Sequence, residues 1–154
     1  MHRYLVLAEI DGGYVLVPSD SQDPVLDIKY NFCHKQDFSR TCTVMHVYDA
    51  EEFTRRVKAY WFKAVCGDET EDDLVSFKVT EGEDNEVEEI LREYRNRDCK
   101  VRYDVLLMTE GEFKIARWLL DRKDLGLDGA LATARALGFY AMNVLGVPIP
   151  MARR

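Results

Sequence analysis

The sequence of 154 residues predicts one α+β domain, and two observations lead to this class. Up to residue 48, apolar residues alternate with polar ones between turn signals, which is typical of antiparallel strands. From residue 49 onward, helix-capping residues and apolar residues at helical spacing alternate with short β-rich runs. We therefore expect an N-terminal antiparallel β-meander (residues 1–48), followed by alternating strand and helix units and two C-terminal helices packed on a mixed sheet.

The meander is predicted from four β-rich runs. They cover residues 3–10, 14–17, 25–32 and 41–48. Asp11-Gly12-Gly13 separates the first two runs, and its glycines accept the positive φ angles that a tight hairpin turn requires. If the last two strands pair as a hairpin, Cys33 falls opposite Cys42.

The second part begins with a capping box. Asp49 is followed three positions later by Glu52, which predicts a helix over residues 49–66. The elements predicted after it are a strand over residues 74–79, a helix over 84–97 and a strand over 99–108.

A four-letter motif then occurs for the second time. Thr109–Glu112 has the same sequence as Thr80–Glu83. This repeat predicts that each Thr caps a helix while its Glu reaches back to the cap. For residues 113–120 a strand after a hairpin turn at Glu110-Gly111 is the alternative.

A final helix is predicted over residues 129–145, apolar around most of its circumference. Ala130, Ala134 and Gly138 form a stripe of small residues that permits close helix packing. Such a helix is either central to the core or docked on another subunit, so a homo-oligomer formed through residues 129–145 remains open. Gly146 and the prolines after it argue against a membrane span, and no membrane partner is expected.

The four cysteines, Cys33, Cys42, Cys66 and Cys99, form no CxxC pair. We expect them to be small buried thiols of a cytoplasmic protein. Cys33, His34, Cys42 and His46 lie close in sequence, but their spacing matches no standard zinc pattern. The sequence therefore predicts neither a metal site nor a cofactor.

Charge is the most distinctive feature of the sequence. Residues 68–93 carry twelve acidic and two basic residues, a formal charge of −10, whereas the whole chain carries −7. Such self-repulsion must be spread into solvent or met by a partner, and a negative surface speeds association with cationic proteins. The residues predicted to bind that partner are Asp68, Glu69, Glu71, Asp72, Asp73, Glu81, Glu83, Asp84, Glu86, Glu88 and Glu89.

Two weaker patterns indicate a nuclease. Asp27-Ile28-Lys29 follows Asp20 and Asp23 by a few residues, which is similar to the acid-then-D/E-x-K pattern of restriction-type nucleases, in which carboxylates hold Mg²⁺. The element order also resembles that of the ribonuclease H-like fold, which implies metal-binding carboxylates. The residues in comparable places are Glu9 or Asp11, Glu52, Glu81 and Asp128.

Taken together, the sequence favours a non-enzymatic acidic binding module, immunity- or inhibitor-like, that engages or inhibits a basic protein partner. The acidic balance disfavours nucleic acid as a partner, because phosphate binding needs clustered Lys and Arg. A metal-dependent nuclease or phosphodiesterase with a carboxylate cluster is the first alternative. An oligomeric structural subunit that assembles through the C-terminal helix is the second.

Overall fold

The computed structural model describes residues 2–35, 42–67, 73–79, 85–122 and 125–145. The strands in these ranges are β1 (Tyr4–Ile10), β2 (Gly13–Ser19), β3 (Cys42–Asp49), β4 (Arg56–Cys66), β5 (Asp73–Val79) and β6 (Cys99–Thr109). The helices are α1 (Pro24–Asn31), α2 (Ala50–Phe53), α3 (Asn85–Asn96), α4 (Glu110–Asp121) and α5 (Leu127–Leu145). A single 3₁₀ turn, Cys33–Lys35, follows α1.

The strands form two sheets of the same design. The orders are β2-β1-β3 and β5-β4-β6, and every pairing among these described strands is antiparallel. In each sheet two consecutive strands pair, a helix follows, and a third strand returns to the open side of the first. A helix then leaves the returning strand. The chain therefore consists of two ββαβα halves followed by α5: the first half ends with α2 and the second with α4.

The two halves share the local structure at the point where the last strand becomes a helix. Asp49 Oδ1 accepts the Glu52 N–H over 3.0 Å, and Thr109 Oγ1 accepts the Glu112 N–H over 3.1 Å. The Ala50 N–H donates to the Arg3 carbonyl over 2.9 Å, and the Glu110 N–H donates to the Arg55 carbonyl over 2.7 Å. In each half the acceptor directly precedes the first strand. Both helices thus begin with a side-chain cap and a main-chain bond to their own sheet.

The main core combines residues of both sheets with α2, α4 and α5. Leu5 and Leu7 of β1 join Val57 and Trp61 of β4 and Met108 of β6 in one buried cluster. Helices α4 and α5 pack on the second sheet, and α5 also contacts β2. The prediction of an α+β fold with two C-terminal helices packed on a sheet is confirmed, although the sheets are antiparallel rather than mixed.

Strand β4 replaces most of the helix predicted over residues 49–66, and this prediction was wrong. Asp49 does cap a helix, but α2 ends at Phe53. Beyond it the side chains of Val57 and Trp61 enter the main core, whereas Tyr60 and Phe62 on the opposite face pack against α3. Because β4 packs on both faces, its centre over residues 59–62 is continuously apolar and lacks the alternation that marks a half-buried strand.

The strand predicted over residues 25–32 is also wrong, because this stretch forms α1. Asp23 caps the helix by accepting the Leu26 N–H over 3.2 Å, and Pro24 occupies the first turn. Proline is well tolerated there because its missing N–H is not needed. The apparent alternation in this stretch does not form a buried face, since Leu26 and Tyr30 are exposed. Strand β3 consequently pairs with β1 and not with this stretch.

The other element predictions agree with the described structure. The first hairpin, β3, β5, α3, β6 and α5 lie where they were expected, within a few residues. At Thr109 both bonds of the capping box are present, and residues 113–120 are helical, so the hairpin alternative is wrong. Thr80–Glu83, the other copy of the motif, lies outside the described residues.

All four cysteines form disulfides. Cys33 bonds to Cys42, and Cys66 bonds to Cys99. The prediction of free buried thiols was therefore wrong. Cys66 and Cys99 are direct partners in the β4–β6 register, a relationship that cannot be predicted if β4 is read as a helix. No helix in the described part of the chain is long and apolar enough to cross a membrane.

Candidate functional site

Helix α3 directs three of the predicted partner-binding carboxylates outward. Val87 and Leu91 lie on its buried face and pack against β4. Glu86, Glu88 and Glu89 lie on the remaining circumference and are exposed. We call these three residues the acidic α3 face.

The other predicted partner-binding residues are attached at two separate places. Seven lie outside the described part of the chain: Asp68, Glu69, Glu71, Asp72, Glu81, Glu83 and Asp84. Asp73 begins β5, where it pairs with Ala64. The segment 68–72 joins this end of β5 to β4, whereas the segment 80–84 joins the other end to α3. A strand of this length spans about 20 Å, which is more than twice the Debye length of about 8 Å at physiological salt. Only the 80–84 segment therefore connects directly to the acidic α3 face, and the eleven residues do not share one attachment point.

Basic residues gather at the C-terminal end of α3 and just beyond it, where Glu93 and Asp98 are the exposed acidic residues. Arg92, Arg95 and Arg97 are exposed, and the Arg97 guanidinium lies 5.5 Å from the centre of the Tyr94 ring. Acidic residues near the helix N-terminus and basic residues near its C-terminus both complement the helix dipole. The outer surface of α3 is thus acidic near its start and, apart from Glu93, basic near its end.

A charge cluster around the buried carboxylate of Glu110 connects the two halves of the chain, and the sequence analysis missed it. The Glu110 side chain is 2% exposed, with Oε1 lying 3.8 Å from Arg55 Nη1 and Oε2 lying 3.6 Å from Lys114 Nζ. Lys114 also donates a hydrogen bond to Glu52 Oε1 over 2.7 Å. The hydrogen bond with Glu52 raises the pKa of Lys114 above its usual value, against the opposing effect of burial.

This cluster lines a small pocket of about 70 Å³ between α2, α4 and the end of β3. Burial raises the pKa of the neighbouring Tyr48 phenol, so its hydroxyl stays protonated at neutral pH. Each described carboxylate of the cluster lies near a cation, which indicates a structural connection between the halves. One sequence signal was present: Glu110 and Lys114 are spaced i,i+4 directly after the cap at Thr109.

Two of the carboxylates considered for a nuclease serve local structure. Asp27 lies on α1 and accepts hydrogen bonds from Ser19 Oγ over 2.6 Å and from Asn31 Nδ2 over 2.7 Å. These bonds, the Ser19 bond first, lower the pKa of Asp27. Asp20 is bonded to His2, which lowers the pKa of that carboxyl. In the described ranges, no three His, Cys, Asp or Glu residues converge as a metal site.

Comparison with known proteins adds no functional information. No protein-family model matches the chain. Neither the curated proteins nor the solved structures contain a match.

Proposed function

We propose that this protein is a non-enzymatic binding module that engages a basic protein, as inhibitors and immunity proteins do. The contact surface is the acidic α3 face together with the adjoining segment 80–84. The observation that supports this proposal is the outward direction of Glu86, Glu88 and Glu89 on a helix anchored to the core by its opposite side.

The anchoring of α3 bears on recognition. A helix held by a buried apolar stripe presents its charges without having to order them on binding, which lowers the entropic cost of association. Acids at one end of the helix and arginines at the other also define a direction. A partner with a basic patch next to an acidic one would bind in one orientation and be repelled in the reverse one.

Matched charge reversals test the proposal. Glu88→Lys with Glu89→Lys changes the acidic α3 face, whereas Glu51→Lys with Asp121→Lys makes the same change in net charge on exposed residues of α2 and α4. Proteins captured from native lysate by the unmodified chain are identified, and the dissociation constant of each purified candidate is measured at low and high salt.

We expect a basic partner whose affinity falls by about tenfold or more in the α3 variant, weakens with salt, and changes little in the control variant. Equal losses in both variants, or an affinity that does not depend on salt, would contradict the proposal.

A second candidate function rests on the outer side of α5. Phe139 is 56% exposed and Tyr140 is 50% exposed, a large fraction for aromatic side chains. The small-residue stripe of the sequence analysis is used inside the molecule, since Ala130 and Ala134 belong to the main core. A homo-oligomer would therefore form through the outer aromatic residues, as a subunit of a larger assembly.

Location in the cytoplasm also remains a proposal. The two disulfides argue against this location, because such bonds persist mainly in oxidising compartments. The redox state of the four cysteines in cells, measured by alkylation before lysis, distinguishes the two kinds of compartment.

A further inference from the structure

A groove on the main-core side of the second sheet lies between β6 and the first half of α5. It has a volume of about 530 Å³. Leu106, Leu127 and Leu131 provide apolar walls, and Trp61 and Arg135 also line it. None of these residues belongs to the acidic α3 face or to the charge cluster around Glu110.

Two residues that line the groove carry hydrogen-bond donors for which the described residues provide no acceptor. Trp61 is 2% exposed, and its Nε1 is buried without a hydrogen-bond partner. The Nε and Nη2 atoms of Arg135 are likewise buried and have no partner in the part of the chain that the structure describes. Buried polar groups are almost always hydrogen-bonded, so three unpaired donors on two residues of one groove require an explanation.

The chemistry of these three atoms specifies the ligand group. An indole N–H and a guanidinium N–H can only donate hydrogen bonds. Nε and Nη2 lie on the same edge of the guanidinium and form the planar fork that holds two oxygens of a carboxylate or phosphate. A ligand that satisfies them must therefore present an oxyanion.

The walls specify the rest of the ligand. Leucine side chains favour an aliphatic or aromatic body, as in most small-molecule sites. Asp104 and Asp128 also line the groove and are exposed. Because two carboxylates there repel a simple anion, they favour a molecule that carries an amine at the end away from its oxyanion.

We propose that this groove binds a small organic oxyanion with an apolar body, whose carboxylate or phosphate monoester group is held by Arg135 and Trp61. The three nitrogens have almost no accessible surface, so the ligand reaches them after a side chain of the groove wall turns. Leu131 of α5 lines the groove and is partly exposed, and it is the side chain that we expect to turn.

The indole N–H resonances provide a direct readout. The chain has two tryptophans, and Trp118→Phe assigns the remaining indole signal to Trp61. The ¹⁵N-labelled protein is titrated with hexanoate, 6-aminohexanoate, hexyl phosphate, hexylamine and hexanol. We expect a saturable downfield shift of the Trp61 signal with the oxyanions alone, with the amino acid binding more tightly than hexanoate.

Variants of Arg135 separate the fork from its charge. Arg135→Lys keeps the charge but loses the fork, and we expect oxyanion affinity to fall by about tenfold or more. Arg117→Leu removes an exposed cation from α4 and serves as the control, with unchanged affinity. Circular dichroism verifies that each variant is folded, and the ligand series on the unaltered protein stands even if one variant is not.

Three results would overturn the proposal. One is a Trp61 signal that no oxyanion of the series moves at millimolar concentration. Another is equal binding of hexanol and hexanoate. The third is unchanged affinity in Arg135→Lys. Binding of hexyl phosphate without hexanoate, or the reverse, supports the proposal and identifies the oxyanion.

Discussion

The ammonium nitrogen of Lys114 lies 2.7 Å from Oε1 of Glu52, and this contact joins α4 in the second half of the chain to α2 in the first. The same nitrogen lies 3.6 Å from the buried carboxylate of Glu110. One lysine thus connects the halves and compensates a buried charge, and these two roles have different energetic weights.

We expect Lys114→Met to destabilise the protein by about 2–3 kcal/mol, because it removes one of the two cations near the buried carboxylate of Glu110 and leaves only Arg55. Glu52→Gln breaks only the exposed part of the network and should cost less than about 1 kcal/mol. Urea unfolding of both variants measures the difference. Equal costs would show that the buried carboxylate does not depend on Lys114.

Gly111 allows α4 to approach α2 closely. A Cβ atom at this position would overlap the Phe53 ring, which is itself almost fully buried. We expect Gly111→Ala to destabilise the protein by about 3 kcal/mol, since the Phe53 ring or the helix backbone must shift to accept the added methyl group. Gly126→Ala is the control, because its Cβ would meet nothing within 4 Å, and its effect should stay within about 0.5 kcal/mol. Thermal or urea unfolding distinguishes the two, and similar stabilities would argue against the close contact.

The sequence analysis succeeded where local chemistry determines the structure. The hairpin at Gly12 and the capping box at Thr109 are specified by the residues that form them, and both are present. At Asp23 and Pro24 the same kind of information was available, but the alternation of the following residues was given more weight. The cap is the stronger signal there, because it satisfies a helix N–H whether or not an apolar face follows.

What the sequence could not supply is long-range structure. The first and second halves repeat a ββαβα arrangement. The four-letter sequence repeat does not reveal it, because both copies, which begin at residues 80 and 109, lie in the second half. Strand β4 carries apolar residues on both faces, so the spacing of these residues does not distinguish a strand from a helix. The orphan donors of Trp61 and Arg135 depend on which side chains meet across β4 and α5. Arg135 had a sequence signal only in being the one charged residue between positions 129 and 145 of an apolar helix.

The two disulfides close loops of different length, which predicts unequal contributions to stability. Cys66 and Cys99 are 33 positions apart, whereas Cys33 and Cys42 are 9 apart. Loop-closure entropy predicts a cost of about 4 kcal/mol for replacing the first pair by Ala and about 2.5 kcal/mol for the second. Urea unfolding of the two double variants tests this order. Thiol titration of the denatured, unreduced protein should find no free cysteine, and any free thiol would count against the pairing.

His46 should make stability depend on pH. Burial lowers the pKa of this imidazole below its ordinary value of 6.5, and its ring packs edge-on against Trp118 with 4.9 Å between centres. The folded protein therefore disfavours the charged form. The neutral imidazole of His46 therefore contributes stability above pH 6.5, and this contribution is lost as the pH falls from there through the lower pKa of the folded protein. We expect His46→Gln to be less sensitive to pH in this window when unfolding is followed by Trp fluorescence. Identical pH profiles for the variant and the original protein would exclude this role.

The exposed aromatic residues of α5 predict self-association. Exposed residues at positions 132, 136, 139 and 140 recur at helical spacing, so Phe139 and Tyr140 share a face with small alanines. Two copies can bring such faces together, because alanine permits close helix approach while the rings fill the space at one end. We expect sedimentation equilibrium to show a concentration-dependent dimer. The double variant Phe139→Ser with Tyr140→Ser should abolish this dimer. The free energy of unfolding of the monomer should not fall, since neither ring belongs to the core. Arg117→Ser, on an exposed face of α4, should leave the dimer intact. A monomer at every concentration of the original protein would remove the oligomer proposal and would leave the aromatic pair available to a different protein.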